Sequence, residues 1–361
     1  KSNSQAVKES ISINTETSKL NLKENFIRSK FINEEEPIQA PFLGTKVLYD
    51  VDINLASSKS NSQAVKKSLS IQTEISKLNL KENFMRSKFI NEEEPIQAPF
   101  LGTKVLNEVD IDLNKLIFYL DTKALFSGQW QIKKGKNQSV DEYKNYLDSY
   151  AKPLLDRWLE TIIEKKLISP KAVYGYFRCG RKDNSIFLFD DKSLNKISQF
   201  NFPRQKSGNN LCIADFYCDL KNDKPIDIFP MQAVTMGDIA SEYSQKLFKE
   251  DKYSDYLLFH GLTVQLAEAL AEYVHALIRI ECGFRSEEPD KNREILAQKY
   301  RGARYSFGYP ACPKVSDSNI QLSLLDAKRI NLTMDESEQL HPEQSTTAII
   351  SLHSKAKYFS A

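Results

Sequence analysis

The sequence predicts an α+β fold, with strands and helices segregated along the chain, and two observations carry that prediction. Four short apolar runs are grouped ahead of the clearest helix: AVYGYFRC (172–179), SIFLF (185–189), LCIADFY (211–217) and FPMQAV (229–234). The clearest helical periodicity comes only afterwards, where Leu262, Leu266, Leu270, Val274 and Leu277 recur at three- and four-residue spacing within about 255–280. A doubly wound sheet needs repeated βαβ alternation, and few alternations are present.

Residues 114–120 form a short apolar stretch that reads as helix. Ser139 with Glu142 three residues on resembles a capping box, opening a helix through Leu167 that Pro153 is expected to kink or break. The RKDN turn at 181–184 joins the first two strands as an antiparallel hairpin. Residues 238–250 return to helical spacing, and TTAIISLH (346–353) supplies a last strand before the closing KYFSA.

The front of the chain is a duplication. Residues 1–48 recur at 59–106 with an offset of 58, and the copies differ only at Glu9/Lys67, Ile11/Leu69, Asn14/Gln72, Thr17/Ile75 and Ile27/Met85. Two near-identical copies do not make a solenoid, whose repeats come in threes or more and diverge. Each copy is rich in Lys, Asn and Ser and ends in EEEPIQAPFLG, an extended, linker-like string. The expected organisation is a redundant, loosely held copy at 1–58, a second copy at 59–110 leading into the body, and a folded domain at 111–361.

Bulk properties set limits. Of 361 residues, 41% are hydrophobic, enough for a substantial core, while 50 Lys plus Arg against 48 Asp plus Glu leave a net charge of +2. That balance argues against a nucleic-acid or anionic-membrane partner. No apolar run approaches the roughly 20 residues of a membrane span, and KSNSQAVKES lacks the apolar stretch of a signal peptide. A start at Lys1 reads as a beginning inside a longer chain. Five cysteines, none in C-x-x-C spacing, suggest idle thiols in a reducing cytoplasm.

Several chemistries are excluded. None of the twelve glycines forms G-x-G, and no phosphate loop or G-x-S-x-G elbow occurs. Glu272-x-x-His275, with Glu268 one turn earlier, offers a carboxylate-metal reading, yet a di-iron bundle needs such a pair on two helices and here it occurs once.

One segment stands apart: RGARYSFGYPACP, residues 301–313. Gly308 loosens the backbone locally, while Pro310 and Pro313 stiffen the chain beyond it. Arginine pairs bidentately with carboxylates, and tyrosine offers a face and a hydroxyl. Such a loop suits a ligand with a carboxylate end and an aromatic end. On residue types alone it also reads as a Pro/Gly-rich surface turn.

This segment closely resembles the signature of the C-terminal activation domain of cobalamin-dependent methionine synthase, in the flavour of its cyanobacterial-type branch. The resemblance extends to FYLDTKALFSGQW (118–130), LAEALAEYVH (266–275), DESEQLHPEQST (335–346) and KYFSA (357–361), in the family's order, over roughly 95–361. It implies a single curved domain around a central antiparallel sheet, binding S-adenosylmethionine in a shallow groove as the methyl donor that rescues inactive cob(II)alamin. The parent reaction moves a methyl group from 5-methyltetrahydrofolate to homocysteine. Cobalamin would be held by a partner module absent from this chain, and the electron would come from a flavodoxin-like or flavoprotein donor. Carried over by position, Arg304 would grip the ligand carboxylate, Asp121 its ammonium, and Glu268 would lie near its positive end. Ser306 and Gly308 (through backbone) with Tyr309 would contact the adenosine, and Tyr358 and Phe359 would close the groove.

Two positions depart from the family pattern: Gln298 stands where some members have glutamate, and Lys314-Val315 come after the PACP string where many have an acidic residue and histidine. The competing expectation is a free-standing docking module for a corrinoid protein that binds no such ligand.

Overall fold

Residues 85–361 are described by a computed structural model, and all lie in the unit Gln72–Ala361. The first copy of the duplication and the first part of the second, 59–84, fall outside the described residues. Residues 85–101 run extended and without regular secondary structure, but they are packed against the body. Ile90 is buried, the Arg86 guanidinium donates to the Tyr217 carbonyl at 2.9 Å, and Arg301 pairs with Glu93 at 2.9 Å. The arm then enters the sheet as β1 (Gly102–Leu106). The folded body therefore begins before residue 111, because Ile90, Ile96 and Phe100 bury apolar surface that a free connector would expose.

The chain continues through α1 (Leu113–Phe118), α2 (Val140–Tyr146) and α3 (Lys152–Glu164). The capping box at Ser139 and Glu142 forms as the sequence predicts, with the Glu142 amide donating to Ser139 Oγ at 3.1 Å and the Ser139 amide to Glu142 Oε2 at 2.7 Å. A π-helical turn, Leu147–Ala151, joins α2 to α3, and Pro153 falls in the first turn of α3. The sheet is then laid down as β2 (Lys171–Lys182), β3 (Ser185–Phe189), β4 (Lys196–Asn201) and β5 (Asp227–Thr235). Next come α4 (Asp238–Lys249), α5 (Tyr253–Glu281), α6 (Asn292–Leu296), β6 (Ala303–Tyr305), α7 (Asp317–Leu325), the short pair β7 (Thr333–Met334) and β8 (Leu340–His341), and β9 (Ser345–Ser351).

The central sheet has seven strands in the order β4-β3-β2-β5-β9-β6, and β1 joins the flank of β2. All its ladders are antiparallel. β2 is long enough to carry two neighbours on one side: Ala172–Tyr176 pair with β1, and Arg178–Lys182 pair with β3. Side chains alternate between two cores. Ala172, Tyr174, Tyr176, Val234 and Ile350 face α5, while Val173, Phe229, Met231, Ala233 and Ile349 face the opposite layer, which includes Leu322 and Leu325 of α7. Burial on both faces is why β5 shows no apolar–polar alternation; Gln232, polar in its interior, donates to the Ala271 carbonyl at 2.8 Å.

One expected strand is absent. Residues 211–217 hold a 3-10 turn, Ile213–Phe216, because Asp215 folds inward and accepts the Cys212 amide at 3.2 Å while Arg204 clamps its carboxylate. Local side-chain capping outcompetes the ladder there.

Candidate functional site

The site begins with a polar stripe on α5. Glu268, Glu272, His275 and Arg279 recur at spacings of four, three and four, so they share one helix face, while Leu262, Leu266 and Leu270 on the other side enter the core. The segment leading into β6 lies over this stripe. Gly302 has φ +85°, and a Cβ there would meet the Ser351 carbonyl oxygen at 2.4 Å, so glycine alone lets β6 close on β9. That pairing sets Arg304 opposite Ile350 and directs it toward α5. Gly302→Ala is expected to separate the two strands and lower the melting temperature by several degrees, roughly 1–3 kcal/mol of strain and lost pairing; thermal unfolding monitored by circular dichroism checks it.

Arg304 is the hub. Its Nη2 donates to Glu272 Oε2 at 3.2 Å, and its Nη1 lies 3.7 Å from Glu268 Oε2. Burial alone would lower its pKa, but the two carboxylates outweigh that and hold it above the ordinary guanidinium value. Tyr300 donates its hydroxyl to the same Glu272 oxygen at 3.0 Å; burial, then Glu272, raises its pKa. His275 has no exposed surface, and its ring meets Tyr300 edge-on. Burial, reinforced by Arg279 and Arg304, drives its pKa well below the ordinary imidazole value, so it is neutral.

A pH dependence of stability results. Below about pH 6.5 the unfolded chain takes up a proton on this imidazole that the folded chain refuses. Its contribution is therefore complete above that pH and is lost as pH falls, by up to about 1.4 kcal/mol per unit. Denaturant titrations from pH 7 to 5 should show this slope reduced in His275→Gln; equal slopes would refute the assignment.

Glu268, Tyr300, Arg304, Ser306, Tyr309 and Tyr358, with Gln298, Ala303 and Thr346, line one open cleft of about 200 Å³. Tyr309 and Tyr358 meet edge-to-face at its rim, 6.5 Å between centroids, and both are substantially exposed. Gly308 provides the turn behind Tyr309, with φ +95° and its amide donating to the Cys312 carbonyl at 2.9 Å. The Ser306 hydroxyl is turned to the Thr347 carbonyl at 2.7 Å, and its carbonyl accepts the Cys312 thiol at 2.9 Å.

Five of the eight residues carried over from the resemblance thus line one wall: Glu268, Arg304, Ser306, Tyr309 and Tyr358. The other three are placed elsewhere. Gly308 lies one residue behind that wall. Phe359 points the opposite way from its neighbour Tyr358 and packs on Phe216 and Tyr305 in the core, each 6.2 Å between centroids. Asp121 does not line the cleft; its Oδ1 accepts the Ala124 amide at 2.9 Å, capping the turn that comes after α1. Sequence reasoning missed Tyr300 and the ion pair of Glu272 with Arg304. The helical spacing from Glu268 to Glu272 pointed at the second, but nothing about a lone tyrosine pointed at the first.

Glu268, Glu272 and His275, the residues of the metal reading, are spoken for differently: Glu272 serves Arg304 and Tyr300, and His275 is enclosed. Among the described residues no group of three or more His, Cys, Asp or Glu has an arrangement that would hold a metal ion. No helix among them is long and apolar enough to cross a membrane.

A larger cavity of about 530 Å³ separates the arm from the 216–227 segment. It contains none of the motif residues, and its buried carboxylate, Asp227, is already committed to the amides of Cys218 and Ile228 at 2.9 Å. The smaller cleft is therefore the stronger candidate, because Arg304, Ser306 and Tyr309 of the 301–313 segment line it together with Glu268 and Tyr358.

Known proteins share this fold. A solved structure described as the MetH reactivation domain bound to AdoHcy superposes with a TM-score of 0.65 at 24% identity, covering 74% of this chain and 83% of that one, which establishes the common fold. The methionine synthase of Mycobacterium tuberculosis is 37% identical over 274 residues, and that of Mycobacterium leprae 36% over 286. These matches take in 72% and 76% of this chain but only 23% and 24% of the relatives, so the chain spans about a quarter of their length. The family described as vitamin B12 dependent methionine synthase, activation domain, matches residues 112–361, and the chain belongs to it.

Proposed function

We propose that the cleft binds S-adenosylmethionine and presents it as the methyl donor for reductive remethylation of cob(II)alamin. This would sustain methyl transfer from 5-methyltetrahydrofolate to homocysteine in a cobalamin-dependent methionine synthase. The observation that carries the reading is the pairing of opposite charges on one wall. Arg304 and Glu268 stand 3.7 Å apart in the cleft that Tyr309 and Tyr358 also line. A guanidinium takes a carboxylate, a carboxylate takes an ammonium or sulfonium, and the tyrosine rings offer apolar faces to a purine. The related reactivation domain bound to AdoHcy supports the same ligand class.

When bound, S-adenosylmethionine supplies an electrophilic methyl group. The chain's own residues would hold its amino-acid end, and a cobalamin-binding module of the same enzyme would meet its methyl end. Alignment between the two is then a positioning effect shared with that module. A flavodoxin-like or flavoprotein donor would supply the electron, and the cytoplasm is the compartment these partners imply.

Titration calorimetry with S-adenosylmethionine and S-adenosylhomocysteine tests the reading, and saturable one-site binding is expected. One feature favours the competing reading of a docking module without ligand: Arg304 is already engaged by two carboxylates, and Gln298 contributes no third negative charge. Absence of heat with both compounds would favour that alternative.

A further inference from the structure

Behind the cleft, four charged side chains alternate in sign. Arg304 meets Glu272 through Nη2 at 3.2 Å; Arg279 Nη1 lies 3.5 Å from the other Glu272 oxygen; Arg279 also forks onto Glu288, with Nη2 2.8 Å from Oε2. Two cations and two anions cancel. Arg279 is fully buried and stacks on the Tyr300 ring, 3.8 Å from its centroid, while the Tyr300 hydroxyl reaches the Glu272 oxygen that Arg304 uses. Two further titratable groups face these four: Tyr119, and His275, which is enclosed with its Nδ1 3.8 Å from Glu272. The surplus charge at the cleft is Glu268, whose side chain is 47% exposed against 10% for Glu272.

Resting on the ligand reading above, we propose that Glu272 and Tyr300 are positioning residues that hold Arg304 from behind, leaving Glu268 as the helix carboxylate that meets the ligand's cationic end. Two glutamates one turn apart thus have different tasks. Glu272 compensates Arg304 and Arg279 internally and fixes one edge of the Arg304 guanidinium. Glu268 contacts Arg304 only loosely, at 3.7 Å, and gives way when a carboxylate and an ammonium arrive together. Without Glu272, Arg304 has Glu268 as its nearest anion, and the two recognition charges neutralise each other across an empty cleft.

The test compares two ligands on the full chain. S-adenosylhomocysteine carries the amino-acid end, whereas 5′-methylthioadenosine has the adenosine and thioether without it. For Glu272→Gln, affinity for S-adenosylhomocysteine is expected to fall about tenfold or more, while that for 5′-methylthioadenosine stays within about twofold. Tyr300→Phe keeps the ring stacked on Arg279 and removes only the hydroxyl, so a smaller selective loss of about threefold is expected; it carries the test should Glu272→Gln fail to fold. Parallel loss of both ligands, or no loss of either, would overturn the proposal by showing that the pair merely supports the cleft wall or does nothing for Arg304. Absence of S-adenosylhomocysteine binding to the unsubstituted chain would instead sink the ligand reading, and this proposal with it.

Discussion

Arg304→Ala is expected to weaken binding of S-adenosylhomocysteine by about 2–4 kcal/mol, or about 30- to 1,000-fold in dissociation constant. Two effects add. The ligand carboxylate loses a charge-assisted partner, and it then faces Glu268 and Glu272, which Arg304 had compensated at 3.7 and 3.2 Å. Because Glu272 keeps Tyr300 and Arg279 as neighbours, the variant is expected to fold. Arg304→Lys restores the charge without the planar fork and is expected to recover part of the affinity. Calorimetry reads both, and a dissociation constant unchanged in Arg304→Ala would remove this residue from the site.

The second large effect concerns stability. Asp215 has no exposed surface and gathers two guanidinium groups, with Arg204 at 2.6 and 2.7 Å and Arg181 at 3.5 Å. It also accepts the amides of Ser87 and Cys212, each at 3.2 Å, so it ties the N-terminal arm to the 3-10 turn. Asp215→Ala leaves buried positive charge without its carboxylate, and breaking a pair of this kind costs about 3–5 kcal/mol. At about 2–4 °C per kcal/mol for a domain somewhat smaller than this one, the melting temperature is expected to drop by roughly 10 °C. Asp215→Asn keeps one acceptor and should fall between. A loss below about 1 kcal/mol in denaturant unfolding would mean that the cluster contributes little net stability.

Asp215 also shows where reading the chain fell short. LCIADFY has strand-like composition, but an aspartate turned inward by Arg204, 11 residues earlier, and by Arg181 converts it into a turn, and neither arginine lies within that local pattern. The arm before β1 is a similar case. Its glutamates and prolines read as linker, yet Ile90, Ile96 and Phe100 find apolar surface on the body, and proline tolerates the extended backbone they need.

Local pattern was sufficient where the physics is local. The long α5 helix, the Ser139 capping box, the β2–β3 hairpin and the α+β class arise from side-chain periodicity and from backbone groups a few residues apart. The peculiarity of residues 301–313 was equally legible, since its glycine, prolines, arginine and tyrosines are contiguous. Partnership across the fold was not. That Arg304 rests on Glu272, that Tyr300 bridges them, that Tyr358 faces the cleft while Phe359 enters the core, and that Asp121 caps a turn were settled by tertiary packing. Coulomb and hydrogen-bond energies depend on distances between side chains, and in a folded chain those distances are set by how the layers close, whatever the separation in sequence.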